Sequence, residues 1–78
     1  MSHSGKPDKL VYMANQIGKF FASQGEAEAV VGVANHLERF WDPRMRQTIV
    51  AHLEAGGAGL DPSVKRAVAS LASSKVTT

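Results

Sequence analysis

Aspartate is followed by proline twice in this chain, at Asp42-Pro43 and at Asp61-Pro62, and each pair forces a break in the backbone. A proline pushes the residue before it out of helical geometry. It suits the first helical position, where its missing N–H has no intrahelical acceptor to lose. An aspartate just ahead offers a side-chain oxygen to the first free N–H groups. Each pair therefore ends one segment and starts a helix. Gly56-Gly57 adds a stop between them, and Ser23-Gln24-Gly25-Glu26 marks an earlier boundary. Two devices fit that tetrapeptide: a Ser-x-x-Glu capping box, or a left-handed turn at Gly25.

The segments between these breaks carry helical periodicity. From about Asp8 to about Ser23, Leu10, Met13, Ile17, Phe20 and Phe21 recur at three- and four-residue spacing, which puts them on one face. A second stripe, Val11, Ala14, Gly18 and Ala22, is made of small side chains. Gly18 costs about 0.8–1 kcal/mol relative to alanine inside a helix. Close approach of another helix or a partner would offset that cost; simple tolerance is the alternative. The second helix runs to about Phe40 with Ala27, Val30, Val31, Ala34, Leu37 and Trp41 as its apolar positions. Met45, Ile49, His52 and Leu53 define a third, and Val64, Val68 and Leu71 a fourth. No segment alternates apolar and polar residues long enough to make a strand. The fold class is all-α, a small bundle of three main helices plus a short fourth. A single helical domain over 8–72 is expected between a flexible lead (1–7) and a flexible tail (73–78), with the first two helices forming a hairpin.

At 78 residues there is room for one domain. Hydrophobic residues make up 44% of it, but eleven of them are alanine, so the core is thin. A single core of this size rarely supplies more than about 3–5 kcal/mol without disulfides, a metal or a partner. There is no cysteine, which removes disulfides and thiolate metal sites. A partner is the remaining support, and self-association through an exposed apolar face is the fallback for the isolated chain. No apolar run resembles a signal-peptide core or reaches membrane-spanning length. A cytoplasmic protein with no membrane contact is expected.

Catalytic chemistry finds little to use. A nucleophile needs a base oriented by a third group, and the serines lie mostly at termini or helix starts. Gly56-Gly57-Ala58-Gly59 lacks the Lys-Ser/Thr and the preceding strand of a phosphate-binding loop. His36-Leu37-Glu38 and His52-Leu53-Glu54 repeat one tripeptide. Positions i and i+2 of a helix point about 200° apart, so neither pair chelates a metal alone. Only a site shared between helices stays open. No catalytic residue, metal or cofactor is assigned to this chain.

The informative stretch is Glu38-Arg39-Phe40-Trp41-Asp42-Pro43-Arg44-Met45-Arg46, which holds the one Trp and three of the four Arg. Trp and Arg are the residue types that most often dominate protein interfaces. Arg44 and Arg46 fall in the first turn of the third helix, where the helix dipole disfavours cations by roughly 0.3–1 kcal/mol. Something acidic, or a row of carbonyl oxygens, should meet them. The candidate partner-binding set is Arg39, Phe40, Trp41, Arg44, Met45 and Arg46. The plainer reading has Trp41 and Phe40 filling the core at the corner and the arginines solvated or paired with Glu38 and Asp42. A small helical nucleic-acid-binding protein is the rival function, with Arg44, Arg46, Gln47 and Thr48 opening a recognition helix. Nine basic against seven acidic residues give no broad phosphate-binding patch, so nucleic acid is disfavoured.

Three pieces of the sequence together resemble a known family. These are Met13-Ala14-Asn15-Gln16-Ile17 with Phe20-Phe21, then Val33 through Arg46, then Gly56-Gly57 with Leu60-Asp61-Pro62. The chain is similar to the small delta subunit of the soluble NAD-dependent formate dehydrogenases over roughly Leu10 to Leu71. The resemblance implies a non-catalytic subunit of a cytoplasmic complex. Its large alpha subunit would oxidise formate at a molybdenum or tungsten pterin, with iron–sulfur clusters, FMN and NAD carried in the complex. The delta subunit would dock on the alpha subunit and support assembly, cofactor insertion or stability.

Overall fold

Both Asp-Pro steps open helices, as their chemistry requires. The computed structural model describes residues 7–76; within them lie α1 (Pro7–Ala22), α2 (Glu26–Phe40), α3 (Pro43–Glu54) and α4 (Pro62–Val76), and no strand. Asp42 has extended backbone (φ −77°, ψ 167°), and its Oδ1 accepts from Met45 N–H at 2.9 Å. The Asp61 carbonyl accepts from Lys65 N–H at 2.9 Å, the first turn of α4. At the other end of α3, Gly56 N–H donates to the Leu53 carbonyl and Gly57 N–H to the His52 carbonyl. Gly56 and Gly57 both have positive φ, 124° and 66°. This paired closure satisfies carbonyls that the helix leaves open.

Three local expectations change. The Ser23–Glu26 capping box does not form. Gly25 takes the N-cap position of α2 with φ 102° and no side-chain cap, and Glu26 instead pairs with Arg66 at 2.6 Å. The fourth helix is not short: it has 15 residues against 12 in α3, because nothing between Ser63 and Val76 breaks a helix. Of the expected flexible ends, 1–6 and 77–78 lie outside the described residues, while Pro7 and residues 73–76 are helical.

The third change is in which faces are buried. On α1 the buried positions are Leu10 from the large stripe and Ala14 and Gly18 from the small one, and Phe20 is left 72% exposed. On α2 it is Ala29, Val33 and Leu37, while Ala27 and Val31 face outward. α2 packs on α1 and α4, and α3 packs on α1 and α4, so the four helices ring a core of Leu10, Val33, Leu37, Trp41, Ile49 and Val64 among others. α1 and α4 cross closely at Gly18, where an added Cβ would sit 2.7 Å from Val64 Cγ2. That contact explains a glycine in mid-helix.

The loop before α4 is tied to α1 by one side chain. Asn15 Nδ2 donates to the Gly59 carbonyl at 2.9 Å, and Asn15 Oδ1 accepts from Asp61 N–H at 3.0 Å. Replacing Asn15 by alanine strands a partly buried N–H and a carbonyl. We expect a loss of about 1–3 kcal/mol of unfolding free energy, measured by urea titration.

Candidate docking surface

The corner between α2 and α3 places the six candidate residues in three environments. Trp41 leaves helical geometry (φ −89°, ψ 142°), and its N–H closes α2 on the Leu37 carbonyl. The turn swings its indole inward, where it is 5% exposed and part of the core. Met45 is half-buried and packs against the same core. Arg39, Phe40 and Arg44 are exposed. Trp41 is therefore not available to a partner in this fold.

Arg46 finds its oxygens within the chain. Its Nη1 lies 3.5 Å from the Leu37 carbonyl and 3.2 Å from that of Glu38, and it also donates to the Trp41 carbonyl. These carbonyls cluster at the C-terminal end of α2, the negative pole of that helix, and Leu37's is shared with the Trp41 N–H. The charge that opposes the α3 dipole thus serves the α2 dipole. Arg46→Met removes it, and a fall of about 1–2 kcal/mol in stability is expected by urea titration. Arg44 has no such partner among the described residues and borders a depression of about 520 Å³ with Asp42, Pro43 and Gln47.

Residues that the sequence reading left in the core or on a polar face form a second exposed surface. The Phe21 ring lies across Gly32, so close that a Cβ there would meet it at 2.6 Å. Phe20 meets Phe21 edge-on, with ring centroids 5.1 Å apart. Ile17, Phe20, Phe21 and His36 line a pocket of about 260 Å³. His36 in turn packs against Phe40 with ring centroids 4.8 Å apart and planes tilted by 45°, and Phe40 is 70% exposed. One signal was present in the sequence. Neighbouring residues of a helix point about 100° apart, so Phe20 and Phe21 cannot both lie at the centre of one buried face.

Other chemistry is sparse. His52 Nε2 is 2.8 Å from the Ala58 carbonyl, so the two histidines make separate contacts. Among the described residues no three His, Asp or Glu side chains converge to hold a metal ion, and no helix is long and apolar enough to cross a membrane. At the start of α3, Arg46 is engaged by α2 and Thr48 donates to the Arg44 carbonyl. That leaves Arg44 and Gln47 exposed there, a poor reading head for nucleic acid.

The family described as "NADH-dependant formate dehydrogenase delta subunit FdsD" matches residues 9–68. That span holds the α2–α3 corner, the α1–α2 surface and the start of α4. No curated protein and no solved structure matches the chain.

Proposed function

Since the chain belongs to the NADH-dependent formate dehydrogenase delta subunit family, we propose that it is a non-catalytic accessory subunit that docks on the large alpha subunit of that enzyme. The family match over 9–68 carries this reading. The exposed Arg39, Phe40 and Arg44 support it by giving a helical corner a surface to present. Docking would support assembly, cofactor insertion or stability of a cytoplasmic complex. The molybdenum or tungsten pterin, iron–sulfur clusters, FMN and NAD belong in this reading to the other subunits. The absence of cysteine, the usual ligand of an iron–sulfur cluster, supports placing the clusters in other subunits.

The test is to express the enzyme with and without this chain. Molybdenum or tungsten content and formate oxidation are then measured on the purified complex. Lower metal loading or activity in its absence is the expected result. Full loading and full activity without it would remove the accessory role.

A further inference from the structure

α1 and α2 run antiparallel: Phe21 lies on Gly32, Gly18 near Val33 and Ile17 beside His36. Along α1, Lys9, Met13 and Ile17 share a stripe at four-residue steps, and along α2, Glu28, Gly32, His36 and Arg39 do the same at three and four. The two stripes flank the α1–α2 seam, where Ile17, Phe20, Phe21 and His36 line the groove. Its floor is the Phe21 ring on Gly32, and its walls carry Phe20 and the tilted His36–Phe40 pair. The antiparallel register brings Lys9 and Arg39 to the same end, with Glu28 towards the other. Lys9 and Arg39 are exposed and form no ion pair among the described residues, where Arg66–Glu26 is the salt bridge found.

We propose that this groove, rather than the turn at Asp42-Pro43, is the centre of the docking interface. Its occupant is an amphipathic segment of a formate dehydrogenase subunit, with a large apolar side chain for the 260 Å³ pocket and acidic residues facing Lys9 and Arg39. The inference rests on the docking role proposed above. Two aromatic side chains about 70% exposed on a small domain, at 72% and 70%, are what an interface anchor looks like before its partner arrives. The basic end sets the polarity: a segment entering with its acidic end towards Glu28 would meet repulsion there and leave two cations unpaired.

Binding is measured to formate dehydrogenase purified without this chain. The wild type is compared with Phe20→Ser/Phe40→Ser, Lys9→Glu/Arg39→Glu and Arg44→Ala, each checked for a wild-type melting curve. The first pair is expected to weaken binding on the order of thirtyfold or more. The charge reversal should weaken it by a smaller factor that shrinks with added salt, and Arg44→Ala, which lies outside the groove, by less than either double variant. A larger loss from Arg44→Ala would put the centre at the corner and overturn the proposal. If both double variants bind like the wild type, the groove is wrong, and Arg39 and Phe40 of the corner are excluded with it. If the wild type itself does not bind, the docking role fails and the groove proposal with it. Sedimentation of the isolated chain supplies the last arm. A wild-type dimer that Phe20→Ser/Phe40→Ser converts to monomer would make the occupant a second copy and overturn the proposal.

Discussion

Trp41→Ala is expected to leave the isolated chain largely unfolded at 25 °C, with circular dichroism showing loss of the helical signal. The indole is 5% exposed within the core cluster. Truncating a buried Trp costs about 3–5 kcal/mol, close to the roughly 3–5 kcal/mol that one small core supplies in total. The same substitution distinguishes two roles that its sequence context suggested. An interface anchor would leave a folded chain that no longer binds. A core residue, as placed here, removes the fold and therefore binding too. A folded, cooperatively melting Trp41→Ala chain would contradict the packing described.

Gly18→Ala is expected to have a sign that depends on Val64. In an open helix the substitution would stabilise by about 0.8–1 kcal/mol. Here the new Cβ meets Val64 Cγ2 at 2.7 Å, and Val64 is fully buried, so the methyl has nowhere to retreat. Overpacking of this kind costs about 1–3 kcal/mol. The net result is a destabilised chain. In a Val64→Ala background the clash is gone, and Gly18→Ala should then stabilise. A coupling of about 1–3 kcal/mol in the double-mutant cycle is predicted from urea midpoints. Equal effects of Gly18→Ala in both backgrounds would show that α1 and α4 do not meet at this glycine.

Breaks in the chain were easier to read than faces. The Asp-Pro steps and Gly56-Gly57 act through their own backbones, and α3 and α4 begin or end at them. The stripe Val64, Val68 and Leu71 is legible because charged and polar residues separate its members, and all three are buried. On α2 the run Ala27 to Ala34 is apolar on most sides apart from Glu28. Periodicity alone does not fix its phase, and the buried positions fall at Ala29 and Val33 instead of Ala27 and Val31. On α1 hydrophobic size pointed to the large stripe, but helix approach through Ala14 and Gly18 rotated Phe20 outward.

Residue type and spacing did not fix which of the six candidate residues stay exposed. Arg39, Phe40 and Arg44 are exposed, as a partner-binding role requires, while Trp41 and Arg46 are engaged by the fold. The oxygens that meet Arg46 belong to a helix end brought to it by the turn at Trp41 and Asp42. Such a contact depends on tertiary geometry, which residue spacing does not encode. The α1–α2 groove depends likewise on which side of Phe20 faces inward.

Docking on the alpha subunit of formate dehydrogenase is the proposed role of this chain. It is tested most directly by co-purification through a tag on this chain, with the alpha subunit quantified in the eluate after a wash at physiological salt. Retention of the alpha subunit in a stoichiometric complex is the expected result. An eluate holding this chain folded but free of the alpha subunit would contradict it.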